Sequence, residues 1–247
     1  MEENIMEERL VSYCKAHLDF TLQPPPGYQS APLCALDSVF SIGVNYQSVI
    51  NLIPRFISFY NDTPFDRSHY TMEDIVQMEI TTTQVINRIN QYLKEHSFRD
   101  LAVLLHNECK TDTHKNAILK IEAYFKFLHT MQEYKIETTS DVQRNIENQE
   151  FIKEIRTQRG QRSGLTIDYL FILAKAENYV KVDRHIERFT KEAIGNNNLT
   201  KQDIINLIRR AASILNNEKE DITITARILD HMIWKYQSNL NNRNRNS

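Results

Sequence analysis

Two short segments of this chain combine residue types and spacings that can do chemistry. The first, residues 156–164, reads RTQRGQRSG and places Gly160, Ser163 and Gly164 between two helical patterns. Glycines let the backbone turn sharply, and a helix that begins after the turn directs free N–H groups and the positive end of its dipole outward. A phosphate group fits such a place without help from side chains. The turn is also compatible with a plain helix–helix connection.

Charged side chains accompany these glycines. Arg159 and Arg162 add positive charge beside the turn, which favours a sequence-independent grip on a nucleic-acid backbone. The second segment, residues 182–185, reads VDRH and contains Asp183 and His185. An aspartate before a helical pattern is ordinarily an N-cap, so Asp183 has a structural interpretation beside a chemical one. We interpret His185 as a group that orients Asp183 or contacts a phosphate.

The block from Gly160 to Phe189 resembles the core signature of the helix-hairpin-helix DNA glycosylase superfamily, known as HhH-GPD. The matching residues belong to the hairpin and to the V-D-x-H element after it: Gly160, Ser163, Gly164, Thr166, Val182, Asp183 and His185. The apolar run at residues 32–43 is similar to the first helix of the family's six-helix barrel. The likeness follows the order of elements over about residues 30–195, but only the 160–189 block is specific.

This resemblance implies a mechanism. Asp183 would be the catalytic aspartate, and the target nucleotide would be rotated out of the DNA duplex to meet it. As the glycosidic bond breaks, a carboxylate stabilises the positive charge on the sugar, activates the attacking water, or does both. Family members that also nick the strand carry a lysine late in the hairpin, where this chain has Leu165, and Lys175 and Lys181 lie near the wrong helix ends to replace it. The resemblance therefore implies a monofunctional enzyme that stops at an abasic site.

The base pocket is predicted near the apolar run that resembles the first barrel helix. Asp37 and Ser41 interrupt that run, and a carboxylate in apolar surroundings is costly unless it is paired. Asp37 either accepts a hydrogen bond from the exocyclic amine of a flipped base or forms a salt bridge or a cap. In the following loop, Asn45 is a candidate to fill the vacated space or pair with the orphan base. Tyr46 or Phe40 is a candidate to stack on the base, although each is also typical of a core.

The remaining sequence predicts an all-α protein that positions these residues. The chain has 247 residues, of which only 5 are glycine and 6 are proline, and that composition favours helices. We predict two helical subdomains flanking a cleft. Residues 1–29 and 190–247 form one, and residues 30–189 form a barrel-like one with the hairpin at about 149–176. Helices are predicted at 3–20, 33–43, 46–60, 72–80, 82–95, 98–107, 115–133, 141–157 (one or two), 165–176, 184–194, 201–216 and 222–240, with a stiff linker at 23–27.

Composition also limits cofactors and partners. Cys14, Cys34 and Cys109 are widely separated, which argues against zinc, an iron–sulfur cluster or a disulfide framework. We predict no metal or organic cofactor, although the resemblance adds a monovalent cation on hairpin carbonyls as a candidate. No apolar run suits a membrane span, and the acidic N-terminus lacks the apolar core of a signal peptide, so we expect a cytoplasmic monomer. A net charge of −2 leaves room for a local basic face that binds double-stranded DNA.

Several functions remain open at this level. A monofunctional glycosylase would act in base-excision repair or in defence against phage DNA that carries modified cytosine, such as glucosylated hydroxymethylcytosine. A helix-hairpin-helix protein without catalysis would bind DNA and release no base. An unrelated helical adaptor would show no salt-dependent DNA binding.

Overall fold

A computed structural model describes residues 2–22, 27–66, 70–218 and 222–245. Over those residues it contains thirteen helices, no strand, and one isolated antiparallel bridge between Lys110 and Leu119. The all-α prediction is therefore confirmed. The cleft and the helix-hairpin-helix assignment stay predictions, and most of the predicted linker lies outside the described residues.

The helices are α1 (Glu2–His17), α2 (Ala31–Ser41), α3 (Gln47–Asn61), α4 (Met72–Gln77), α5 (Thr82–Tyr92), α6 (Phe98–Leu104), α7 (Lys120–Glu133), α8 (Thr139–Arg144), α9 (Gln149–Thr157), α10 (Leu165–Leu173), α11 (Arg184–Ile194), α12 (Lys201–Glu218) and α13 (Ala226–Arg245). Within the described part of the chain, none of them is long and apolar enough to cross a membrane.

The chain divides into two compact units. A terminal unit comprises residues 1–25 and 176–247, and a central unit comprises residues 26–175. We predicted the second boundary after residue 189, whereas the structure has it between residues 175 and 176. Helix α11 and Asp183 therefore belong to the unit that the two chain ends form. The reason is packing, because Ile186 and Phe189 on one face of α11 join the apolar core of that unit.

The terminal unit is built from α1, α11, α12 and α13. Its core combines apolar stripes of these four helices, including Leu10 of α1, Phe189 of α11, Ile208 of α12 and Leu229 of α13. The sequence ITIT at residues 222–225 was predicted to start the last helix, but α13 begins only at Ala226. The helix therefore starts once β-branched residues give way to alanine, which has the higher helix propensity.

The central unit is organised around α2, whose residues 31–40 are all buried. Helices α3, α5, α7, α8 and α10 each contact it. The Ser30 side chain accepts a hydrogen bond from the Leu33 N–H group and so caps its first turn. The prediction of a buried helix here is confirmed, although it ends at Ser41 and not at Gly43.

The start of α7 differs from the prediction. The Thr111 N–H group donates to Ile118 O at 2.9 Å and the Lys120 N–H group to Cys109 O at 2.8 Å, so residues 107–119 form a loop with a short bridge at its base. A helix from residue 115 would have Asp112 or Thr113 as its N-cap, but Asp112 accepts the His114 N–H group within that loop. The helix begins at Lys120, because the hydrogen bonds between the two arms of the loop use backbone groups that a longer helix would need.

Candidate functional site

The glycine turn is a tight elbow between two helices. Helix α9 ends at Thr157 and α10 begins at Leu165, and the elbow occupies residues 158–164. Gly160 and Gly164 have φ angles of +82° and +75°, a conformation that side-chain-bearing residues adopt only with strain. A Cβ atom on Gly160 would lie 2.7 Å from the Thr111 Cβ atom, and one on Gly164 would lie 2.7 Å from the Arg156 Nε atom. Conformation and space together therefore favour glycine at position 160, whereas at position 164 the flexible Arg156 side chain can move and the backbone conformation alone favours glycine.

Substitution of Gly160 by alanine should destabilise the protein more than the same change at Gly43. Gly43 has a φ angle of +72° with nothing within 4 Å of a built Cβ atom, so Gly43→Ala measures the left-handed strain alone, about 1 to 2 kcal/mol. Gly160→Ala adds the clash with Thr111, about 1 to 3 kcal/mol more. Urea unfolding followed by circular dichroism measures both. Equal losses of unfolding free energy would contradict the tight packing of the elbow.

The elbow presents a basic surface to solvent. Arg159, Arg162 and Ser163, which were predicted to contact phosphates, are all exposed. Arg156 in the last turn of α9 is exposed as well, and its guanidinium group covers Gly164. The sequence contained Arg156, but its place over Gly164 arises only from the fold. Three arginines and no carboxylate within residues 156–164 leave the elbow locally positive in a protein of net charge −2.

Three side-chain oxygen atoms in or near the elbow are buried without a hydrogen-bond partner in the described structure. They are Gln158 Oε1, Gln161 Oε1 and Thr166 Oγ1. Hard cations prefer oxygen ligands. These side-chain oxygen atoms and the nearby carbonyl groups are therefore the candidate ligands for the monovalent cation that the family resemblance suggested. Across the described residues, no group of three or more His, Cys, Asp or Glu side chains has the geometry of a metal site.

Asp183 caps α11 as predicted. Its Oδ1 atom accepts the N–H groups of His185 at 2.8 Å and Ile186 at 3.2 Å. Its Oδ2 atom lies 3.9 Å from the Lys181 Nζ atom, and 16% of the side chain is exposed. The cap occupies one carboxylate oxygen, and the second lies beside a cation in a side chain that is partly exposed.

Lys181 is a partner of Asp183 that sequence reasoning missed. Its side chain is 19% exposed, and its backbone N–H group donates to Asp230 Oδ1 at 2.9 Å. The signal was present in the spacing, because residues two apart in an extended segment point to the same side.

The prediction that His185 contacts a phosphate is wrong. The side chain is only 7% exposed, because it lies on the packed side of α11. Burial lowers the pKa of His185, nearby arginines Arg184 and Arg188 lower it further, and Asp183 opposes them. Its Nδ1 atom has no hydrogen-bond partner among the described atoms. A buried imidazole with a lowered pKa is poorly suited to hold an external anion.

The lowered pKa of His185 predicts a loss of stability in mild acid. An unfolded histidine binds its proton near pH 6.5, whereas the folded protein resists that proton, so the free energy of unfolding falls as pH drops below about 6.5. His185→Leu should flatten this dependence in urea unfolding between pH 7 and 5. His231, whose pKa burial also lowers, remains in the variant and keeps part of the slope. An unchanged slope in His185→Leu would contradict this assignment.

Asp37 is the centre of a buried hydroxyl cluster in the central unit. Its Oδ2 atom accepts the phenol groups of Tyr28 at 2.8 Å and Tyr46 at 2.9 Å, and its Oδ1 atom accepts the Ser41 hydroxyl at 2.6 Å. The sequence left a choice between a base contact and a salt bridge or a cap. The structure gives a third answer, three hydroxyl donors around a fully buried carboxylate.

A third tyrosine, which lies on α10, joins this group. Burial raises the pKa of Tyr169 on α10 well above the usual value, and Asp37 and Tyr46 add to the shift. Burial likewise raises the pKa of Tyr28 and Tyr46, again with Asp37 contributing. We call Asp37, Tyr28, Ser41, Tyr46 and Tyr169 the tyrosine cluster. Its phenols stay protonated donors at neutral pH, and α10 links the cluster to the elbow.

The loop after α2 contains the predicted wedge residues. Asn45 is exposed, and its side-chain oxygen accepts the Gln47 N–H group at 3.0 Å. Tyr46 is 37% exposed, and its hydroxyl group donates to Asp37. Phe40, in contrast, is buried in the core on α2, and the prediction that it stacks on a base is wrong.

A buried lysine anchors this loop. The Lys120 Nζ atom donates to Phe40 O at 2.9 Å and to Ile42 O at 2.6 Å, which satisfies carbonyl groups at the end of α2. Burial lowers the pKa of Lys120. No local pattern indicates this contact, because the donor and acceptors are far apart in the chain.

Comparison with known proteins identifies a family. The family model described as Domain of unknown function (DUF8548) matches residues 8–238. The chain belongs to this family. The DUF8548 match includes the elbow, the tyrosine cluster and Asp183, so all three lie within the family's domain. No curated protein and no solved structure matches the chain.

Proposed function

We propose that this DUF8548 protein is a monofunctional DNA glycosylase of the helix-hairpin-helix type. One observation carries the proposal. Asp183 uses Oδ1 to cap α11, while Oδ2 takes no part in the cap and lies 3.9 Å from the Lys181 Nζ atom, in the segment that follows the basic elbow in the sequence. The cap requires only one carboxylate oxygen, so the other oxygen can take part in chemistry.

The proposed reaction is hydrolysis of the bond between the base and C1′ of its sugar. The electron pair of that bond leaves with the base, which takes up a proton, and a water oxygen bonds to C1′. The Asp183 carboxylate stabilises the positive charge on the sugar and accepts the water proton. A single general-base role accelerates a reaction by about 10²- to 10⁴-fold. The products are a free base and an abasic site.

The elbow supplies binding to the DNA backbone in this proposal. Exposed Arg156, Arg159 and Arg162 offer charge-assisted hydrogen bonds to phosphate oxygens, and the start of α10 adds backbone N–H groups. These contacts position the duplex but do not read its sequence. The partner we propose is double-stranded DNA, bound by a monomer in the cytoplasm.

The tyrosine cluster is the proposed base pocket. The Oδ2 atom of Asp37 already accepts two hydroxyl groups, so a base amine that binds this oxygen must replace one donor. Tyr46 is the donor that can leave, because it is partly exposed whereas Tyr28 is buried. Its open ring is then available to stack on the base, an interaction worth about 1–3 kcal/mol. Asn45 at the adjacent loop is the proposed wedge.

A base-release assay tests this function. Purified protein is incubated with duplexes that carry alkylated, oxidised, mismatched, hydroxymethylated or glucosylated bases, and alkali then reveals abasic sites. We expect release from at least one duplex, with strand breaks only after alkali. Breaks without alkali would contradict the monofunctional assignment. Release from glucosylated phage DNA would assign a defence role, and release from damaged bases a repair role.

A DNA-binding protein without catalysis is the second candidate. It is favoured by one observation, that the cap and the neighbouring lysine already give Asp183 a complete structural role. This candidate predicts salt-dependent DNA binding with no base release from any duplex, and it predicts no functional effect of Asp183→Asn.

A further inference from the structure

The loop between α6 and α7 adds a second basic segment to the central unit. We call residues 107–119 the bridge loop. The bridge between Lys110 and Leu119 and the bond from the Thr111 N–H group to Ile118 O hold its two arms together. The arms fix the tip at residues 112–117, where Lys115 is exposed, and Lys110 is exposed on the first arm.

Two contacts connect this loop with the elbow. The Thr111 side chain covers Gly160 so closely that a Cβ atom there would clash. Asp112 interacts electrostatically with Arg159. The pKa of Asp112 is lowered first by the His114 N–H group and also by the charges of His114 and Arg159. The bridge loop and the elbow are therefore neighbouring parts of one surface.

The acidic residues of the bridge loop are already engaged. Asp112 interacts with His114 and Arg159, and Glu108 lies 3.9 Å from the Arg99 guanidinium group. Lys110 and Lys115, by contrast, form no ion pair with any described residue. The loop thus presents two uncompensated lysines next to three exposed arginines of the elbow.

We propose that the bridge loop and the elbow form one phosphate-binding surface, in which Lys110 and Lys115 contact phosphates of the same DNA duplex that the elbow holds. Several spaced cations suit a backbone that repeats its negative charge, because each binds a separate phosphate and releases counterions. This inference rests on the proposed DNA binding but not on base release. It assigns the bridge loop a function of its own, beyond supporting Gly160.

The salt dependence of binding to an undamaged duplex tests the surface. The dissociation constant of a fluorescent duplex is measured by anisotropy at several salt concentrations, and the logarithm of affinity is plotted against that of salt. Each phosphate contact contributes about 0.9 to the slope. The double variant Lys110→Gln/Lys115→Gln should lower the slope by about 2. Arg159→Gln/Arg162→Gln should lower it by a similar amount.

A matched control removes the same charge elsewhere in the central unit. Lys94 and Lys135 are exposed in the same unit and form no ion pair with any described residue, and Lys94→Gln/Lys135→Gln should leave the slope within about 0.5 of the original value. Circular dichroism and urea unfolding establish that every variant is folded. Equal slopes for the bridge-loop variant and the unsubstituted protein would overturn the inference, as would an equal loss in the control.

The outcomes separate this inference from the proposed function. A lower slope in the bridge-loop variant without base release from any duplex would keep the surface and reject the glycosylase. Base release with an unchanged slope in that variant would keep the glycosylase and reject the surface. Tighter binding to duplex RNA than to duplex DNA would overturn the assignment of DNA as the partner.

Discussion

Replacement of Asp183 by asparagine should reduce base release by about 10²- to 10⁴-fold while the protein stays folded and bound to DNA. Asparagine caps helices about as well as aspartate, so the hydrogen bonds from the His185 and Ile186 N–H groups are retained. Only the negative charge is lost, and with it the stabilisation of the sugar cation. Single-turnover release rates, with the dissociation constant of the duplex measured in parallel, give the result.

Asp183→Ala separates the two roles of this residue. Alanine removes the cap as well as the charge, which should cost about 1 kcal/mol of unfolding free energy, whereas asparagine should cost almost nothing. If both variants lost release equally but only alanine lost stability, the charge would be the catalytic feature. Full release activity in Asp183→Asn would reject catalysis by this residue and favour the DNA-binding candidate.

Replacement of Asp37 by leucine should destabilise the protein by about 2 to 4 kcal/mol. The change leaves the buried Tyr28 hydroxyl group and the Ser41 hydroxyl group without their acceptor, and each unpaired buried group costs about 1–3 kcal/mol. Tyr46 loses less, because its exposed ring can move its hydroxyl group to water. Urea unfolding followed by circular dichroism measures the loss.

A double-mutant cycle isolates the interaction between Asp37 and Tyr28. Tyr28→Phe in the Asp37→Leu background removes a donor that has already lost its acceptor, so the pair of changes should cost less than the sum of the two. We expect a coupling of about 1 to 2 kcal/mol. Strict additivity, or an Asp37→Leu variant as stable as the unsubstituted protein, would show that the tyrosine cluster contributes no such bond.

The tyrosine cluster also bears on specificity. The Tyr28 and Tyr46 hydroxyl groups already donate to Asp37. A base that replaces one of them must donate a hydrogen bond of similar strength from its amine. Tyr46→Phe should therefore alter the choice of base more than the bond-breaking step. This consequence follows from the proposed pocket and shares its test with the base-release panel.

Local signals in the sequence were sufficient for most of the helices and for the cap at Asp183. Several helix starts depend only on residues close in the chain. At Thr81, Ser97 and Thr138, a hydroxyl side chain caps the first turn, and the side chain three positions later accepts the backbone N–H group of the capping residue. Asp183 belongs to the same class, because its partners are its immediate neighbours. The buried α2 was also predictable, since its apolar run leaves no polar face.

Contacts between distant parts of the chain could not be predicted. The sequence placed Phe40 and His185 at the site, and the fold buries both in packed helices. It gave no indication that Lys120 anchors the loop after α2, because a lysine at a helix start is typical of a solvated surface. Nor did it show that Thr111 covers Gly160.

The sequence by itself determined that this protein is helical, where most helices lie, and that a basic glycine elbow precedes a capping aspartate. Only the tertiary structure decided which unit Asp183 joins, which hydroxyl groups surround Asp37, and which second loop lies beside the elbow. The physical reason is range. Propensity, capping and turn conformation act over a few residues, whereas burial and long-range hydrogen bonds depend on which distant segments the folded chain brings together.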